Sequence, residues 1–304
     1  MRRFSTFDLR RSCEFQYSEQ FALVDIVVVR DDTEFRRVKR WLSDSRRISG
    51  AAEAIRLAID WVIDGARTRR YSIDQLQASE KTYIGNRVEH ELLYQWGLMK
   101  EGDLDCIIEG LCVDVKFSLG TSWMIPPEAI DQLCIIVTAD DSASKYSYGL
   151  FRAKRDYLAG GAGNREGKRG ITAAGRTHID WIVRNGDLVP NFLLHLHPGV
   201  RQQILSHTSG QARVTELFRL VQDQPIPTTA IDTLAVQRDP SKRIRDNGGA
   251  RDALKYEGIV IYGWRYDQDK LKKLRRDPLP RDHWMSIKIG DSEADIRRLG
   301  AEPR

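Results

Sequence analysis

The chain has 304 residues, 41% of them hydrophobic and 30% charged, with a formal net charge of +5. These proportions describe an ordinary globular protein with room for a substantial core in each of two halves, and they exclude a chain built around long apolar spans. The basic balance is mild, so it permits a nucleic-acid partner without singling one out. The four cysteines (Cys13, Cys106, Cys112, Cys134) show no Cys-x-x-Cys spacing. Three lie in apolar, strand-like runs, so buried free thiols are expected. The start, Met1-Arg2-Arg3-Phe4-Ser5-Thr6, has no signal-peptide pattern, and a cytoplasmic protein is expected.

In chain order, an N-terminal arm of about twenty residues precedes Ala22 to Val29, an apolar run that fits a strand or a short buried element. Ala51 to Ile63 has helical periodicity, with Ile55, Ala58, Ile59 and Val62 on one face. A second helical spacing runs from Ile84 to Leu93 and carries Glu89. Asp105 to Ile108, then Glu109-Gly110, then Cys112 to Phe117 predict a β-hairpin. Leu133 to Ala139 is continuously apolar, as in a strand buried on both faces, and Tyr146 to Ala153 predicts another strand. The fold class expected is α/β, a mixed sheet flanked by helices.

Within the hairpin, Asp114-Val115-Lys116 places a carboxylate and an ammonium on one face, because side chains i and i+2 of a strand point the same way. With Asp105 and Glu89 upstream, this is a layout suited to cutting a phosphodiester with a divalent metal. Mg²⁺ takes hard oxygen ligands, usually one or two carboxylates with water and phosphate oxygens. The lysine can orient the attacking water and offset charge on the phosphate. Alternating Asp and Lys is also common on a solvated hairpin face. Asp103 and Glu109 are nearby competitors for the ligand role.

Leu158 to Gly170 is glycine-rich and basic but fails the Walker spacing: Ala162 holds the first glycine position and Arg169 follows Lys168. A surface loop that can touch a DNA backbone is expected. Thr172 to Ile182 predicts a helix, and residues 183–190 have the polar, Gly/Pro character of a linker. This divides the chain into a domain over 1–182 and a second over 191–304. The second has helical stretches at Gly199–Leu205, Gln211–Gln222 and Thr228–Ala235, then a basic helix over Pro240–Leu254 with Gly248-Gly249 inside it. The pair implies a kink or a close backbone approach. A strand over Glu257–Trp264 completes the pattern of a winged helix-turn-helix. The alternative is a small helical domain with a solvated basic face. Lys270 to Arg276 fits an exposed helix face better than a phosphate-binding stripe. His195-Leu196-His197 has metal-compatible strand spacing but no further ligand nearby, so structural histidines are expected.

Several stretches resemble the NaeI family of type IIE restriction endonucleases: Glu80 to Glu89, Asp103 to Cys106, Asp114 to Ser118, and Trp123 to Ala129. Ser209 to Arg219 and Lys242 to Arg251 are similar to the same family's C-terminal domain, and the likeness runs from about Arg69 to Trp264. The resemblance implies a restriction-endonuclease-like core and a homodimer, each subunit cutting one strand of a palindromic, GC-rich double-stranded DNA site such as GCCGGC. It implies Mg²⁺ held by Asp105 and Asp114, with Glu89 completing the acidic site and Lys116 acting on the water. It also implies a second duplex, an allosteric effector, at the C-terminal domain, with Lys242, Arg243, Arg245, Asn247 and Arg251 as its contacts. Two other function classes stay open here: a DNA-binding regulator on a nuclease scaffold, and a nicking repair nuclease.

Overall fold

The computed structural model describes residues 32–100 and 104–289. The run Ala22–Val29, Cys13 and Asp103 lie outside the described residues. Helices α1 (Thr33–Leu42), α2 (Ser45–Ile63), α3 (Gly65–Thr68) and α4 (Ala78–Gln95) come first. Asp44 starts α2 by accepting from the Arg46 N–H at 3.0 Å, and Asp64 ends it in the left-handed conformation. The predicted apolar faces of α2 and α4 are the buried ones: Ile55, Ala58, Ile59 and Val62 on α2, and Ile84, Val88 and Leu92 on α4.

Strands β1 (Cys106–Ile108) and β2 (Leu111–Ser118) form the expected hairpin. Its two-residue turn, Glu109-Gly110, has φ of 52° and 76°, the paired positive values of a type I′ turn. After a short strand β3 (Met124–Ile125) come β4 (Leu133–Asp140) and β5 (Lys145–Arg152). Strand β6 (Arg169–Gly170), helix α5 (Ala173–Arg176) and strand β7 (Asp180–Asp187) follow. The main sheet has the order β1-β2-β4-β5-β7, and β2 and β4 are its parallel pair. Along β2 and β4 the alternate residues Val113, Val115, Ile135 and Val137 join the core under α2 and α4. Cys134 and Ile136 face the other way, into a second core with Trp123, Ile125, Phe151 and Ile171.

Two expectations in this half are corrected. Thr172–Ile182 is not a helix: only Ala173–Arg176 is helical, and the chain is extended from Asp180. The linker expected over 183–190 is strand as far as Asp187, paired with β5 across an irregular register. Its polarity belongs to the edge strand of the sheet, where one side lacks a partner among the described residues and a glycine accommodates the irregularity. Cys106 and Cys134 are buried as expected, whereas Cys112 is exposed, because it lies on the outward side of the hairpin end. The glycine-rich loop is anchored where β6 pairs with β3, and Ala159 to Glu166 are exposed.

The C-terminal part contains α6 (Phe192–His195), α7 (Pro198–Ser206), α8 (Gly210–Leu220), β8 (Ile226–Pro227) and α9 (Thr228–Ala235). These are followed by α10 (Ala250–Lys255), β9 (Ile259–Gly263), α11 (Gln268–Lys273) and β10 (His283–Lys288). Strands β8, β10 and β9 make an antiparallel sheet in that spatial order. Its core is formed by Val214, Leu217, Phe218, Ile231, Leu234, Leu254 and Ile261. The basic helix expected over Pro240–Leu254 is instead a 3₁₀ turn at Pro240–Ile244, a break, and α10. The glycine pair causes the break. Gly248 has φ of +77°, and a Cβ on Gly249 would stand 2.4 Å from the Arg245 carbonyl oxygen. The histidines are structural: the His195 ring contacts Ser144 Oγ at 2.8 Å, and His197 Nδ1 accepts from the Gly199 N–H. Lys270 and Arg276 pair with Asp267 and Asp223, as on an exposed helix face. Among the described residues no helix is long and apolar enough to cross a membrane.

Candidate active site

The hairpin sets the geometry. Its register pairs Cys106 with Val113, so Asp105, just before β1, arrives beside the middle of β2. There Asp105 Oδ2 accepts the Val115 N–H at 2.8 Å. Because Val113 and Val115 point into the helix-side core, Asp114 and Lys116 occupy the alternate face. Helix α4 packs on β2 and carries Glu89, one residue beyond the buried Val88.

The resulting charges alternate in space. Lys116 Nζ lies 2.7 Å from Asp114 Oδ1 and 3.6 Å from Asp105 Oδ2. On the other side of Asp105, Lys100 Nζ lies 3.2 Å from Asp105 Oδ1 and 3.2 Å from Glu89 Oε1. The order is Glu89, Lys100, Asp105, Lys116, Asp114. All four residues of the expected tetrad are therefore brought together, with Lys100 added. Its position after Trp96-Gly97-Leu98-Met99 gave no periodic or motif signal, since it lies in the non-repetitive stretch between α4 and β1. Glu109, a competitor for the ligand role, sits in the hairpin turn and is exposed.

Burial and charge separate the three carboxyls. Burial pushes Asp114 up to about 7 against the pull of Lys116. Burial also acts on Asp105, but the Lys116 ammonium and the Val115 N–H outweigh it and hold Asp105 below the usual carboxylate range. Glu89 is raised, first by burial and then by the charge of Asp105, with Lys100 opposing both. Lys116 is raised despite burial, because Asp114 and Asp105 favour its charged form. Cys134, cross-strand from Asp114, is raised by burial and stays a thiol. The site therefore offers a permanent carboxylate, a carboxyl able to exchange a proton near neutrality, and a fixed ammonium between them.

The oxygen-only donors of Glu89 and Asp105 suit a hard cation, for which one or two carboxylates suffice. Among the described residues no group of three or more His, Cys, Asp or Glu side chains is close enough to hold one ion. The carboxylates meet in pairs, with an ammonium in each gap.

The basic segment is divided by its contacts. Lys242, Arg245 and Asn247 are exposed. Arg243 is half-buried, and its carbonyl accepts from Gln211 Nε2 at 2.9 Å. Arg251 is committed inward: Nε donates to the Ile261 carbonyl at 3.1 Å and Nη2 to Asp267 Oδ2 at 3.3 Å.

Comparison with known proteins identifies the family. The family model for restriction endonuclease NaeI matches residues 43–295. The type II restriction enzyme NaeI of Lentzea aerocolonigenes is 38% identical over 265 residues, covering 82% of this chain and 81% of that protein. With the match running through α4, the hairpin and the C-terminal sheet, the chain belongs to the NaeI family of restriction endonucleases and is an enzyme of that class.

Proposed function

We propose that the protein is a Mg²⁺-dependent, site-specific deoxyribonuclease that cuts both strands of a palindromic, GC-rich DNA site as a cytoplasmic homodimer. The observation that carries this reading is the alternating array of Glu89, Asp105 and Asp114 with Lys116 at the edge of a mixed sheet, in a member of this family. Asp105, between Glu89 and Asp114, would hold Mg²⁺ with these two carboxylates, one directly and the other through water, and the bound ion would offset charge on the scissile phosphate. Lys116 stands between Asp105 and Asp114, where it can orient the attacking water towards phosphorus. The proton that the water loses passes to bulk solvent, because Asp114 and Asp105 keep Lys116 in its charged form. In-line attack then breaks the bond from phosphorus to O3′, leaving a 5′-phosphate and a 3′-hydroxyl.

A second duplex is proposed at the C-terminal part, read as a winged helix-turn-helix domain beginning after β7. Supporting this are the order α8, β8, α9, α10, β9, α11, β10, with α11 inserted between the last two strands, and the strand order β8-β10-β9. Lys242, Arg245 and Asn247 are its exposed contacts, and Arg243 and Arg251 hold the segment in place.

The test is incubation with mixed-sequence plasmid DNA and Mg²⁺, followed by sequencing of new ends, with Asp114→Ala as control. Discrete ends at one palindrome, absent in the variant and increased by added cognate duplex, are expected. Binding without cutting would replace this reading with a DNA-binding regulator, and single nicks would replace it with a repair nuclease.

A further inference from the structure

Lys100 is absorbed by neither the tetrad nor the DNA-binding segment. Its ammonium lies midway between two carboxylates, 3.2 Å from Glu89 Oε1 and 3.2 Å from Asp105 Oδ1. Those two side chains are 17% and 9% exposed, whereas that of Lys100 is 65% exposed. The charge is thus inserted into a recessed acidic pair from the solvent side, on a flexible stem that can leave without disturbing a core. Lys116 differs: it is 21% exposed, and its Nζ also donates to the Val115 carbonyl at 3.1 Å. Of the two lysines in the array, only Lys100 can be displaced cheaply.

We propose that Lys100 is a positioning residue that keeps Glu89 and Asp105 together in the metal-free enzyme and is displaced by the divalent cation. The inference rests on the metal reading of that pair. An ammonium and a divalent ion in one gap exclude each other, by volume and by charge repulsion at close range. Lys100 therefore weakens cation binding while ordering the donors that receive the ion. A lysine with a merely structural role would act oppositely, since its removal would disorder the donors and weaken binding.

The experiment is calorimetric titration of the full-length protein with Ca²⁺ at fixed ionic strength, for wild type, Lys100→Met, Asp105→Asn, and Lys168→Met as a control for net charge. Lys100→Met should bind Ca²⁺ about three- to tenfold more tightly, about 0.7–1.4 kcal/mol, and Lys168→Met should match wild type. A second measurement needs no variant. Amine acylation of the wild type, read by mass spectrometry, should label Lys100 several-fold faster with Ca²⁺ than with chelator. If Lys100→Met binds Ca²⁺ equally or more weakly, or Ca²⁺ leaves the labelling of Lys100 unchanged, the displacement is refuted while the metal site stands. If Asp105→Asn binds as the wild type does, or the wild type binds no Ca²⁺, the metal reading of the pair fails first and the role of Lys100 with it.

Discussion

Replacing Lys116 with Met keeps most of the side-chain volume and removes the ammonium between Asp114 and Asp105. Lys116 is 21% exposed, Asp114 4% and Asp105 9%, so the loss is felt away from bulk water. Removing one partner of a buried pair costs about 3–5 kcal/mol when the remaining charge persists. Asp114 has an escape, because burial already pushes its carboxyl up to about 7 with Lys116 in place. Without Lys116 it rises further, and the folded protein keeps a proton that the unfolded chain releases near pH 4. A raised carboxyl makes stability fall as pH rises from the unfolded value to the folded one, and stability is level above that. In the wild type this fall ends near pH 7. In Lys116→Met it continues upward. If the carboxyl rises by about two more units, the destabilisation grows by about 2.3 kcal/mol between pH 6 and pH 9. It adds to about 1 kcal/mol at pH 6 from lost hydrogen bonds. Asp105 loses the partner that holds it low, a loss fully present across this window and without effect on its slope. Urea unfolding of metal-free wild type and variant at both pH values measures the difference, and plasmid cleavage by the variant should be abolished. Equal destabilisation at both pH values, or cleavage at near the wild-type rate, would refute the reasoning.

Other perturbations separate structural from functional roles. Burial alone pushes Asp232 on α9 up to about 6, so stability should fall as pH rises from about 4 to 6. Asp232→Asn should gain about 1 kcal/mol over wild type at pH 8 and almost nothing at pH 4, as thermal melts would read. Lys242→Ala with Arg245→Ala should lower the salt slope of DNA binding by about two units with little change in melting temperature. Arg251→Met should do the reverse, because its guanidinium bonds to Ile261 and Asp267; loss of DNA binding at unchanged stability would overturn that distinction. Gly149→Ala on β5 would place a Cβ 2.6 Å from the Asp180 carbonyl oxygen and 2.8 Å from Trp181 Cα. Backbone cannot yield cheaply there, so about 2 kcal/mol or more should be lost, and an unchanged melting temperature would contradict the close β5–β7 approach.

Period-two alternation and turn chemistry made the hairpin legible. Glu109-Gly110 fits a type I′ turn, and that turn fixes the register bringing Asp105 to Val115. The buried run Leu133–Ala139 and the amphipathic helices α2 and α4 were legible for the same reason: their faces meet one core. Residues 183–187 were misjudged because an edge strand shows solvent much of what a linker shows it, a polar surface broken by Asn185 and Gly186. The segment over Pro240–Leu254 was misjudged in length because the glycine pair permits a backbone approach to Arg245, not a helical kink.

Lys100 and Arg251 show where a one-dimensional pattern stops. Arg251 sits in a basic run, yet its partners are a carbonyl on β9 and Asp267, contacts made by folding α10 over the small sheet. Lys100 sits in no pattern, yet it completes the alternation of charge around Asp105. The physical rule behind both is compensation. A recessed carboxylate requires a counter-charge or a hydrogen-bond donor, and the chain supplies whichever cation its topology brings within reach. Around Asp105 that requirement is met twice, by Lys116 from β2 and by Lys100 from the non-repetitive stretch after α4. Lys116 is held and Lys100 is loose. That asymmetry separates a fixed ammonium, suited to acting on water at each turnover, from an exchangeable one that can yield its place to a metal ion.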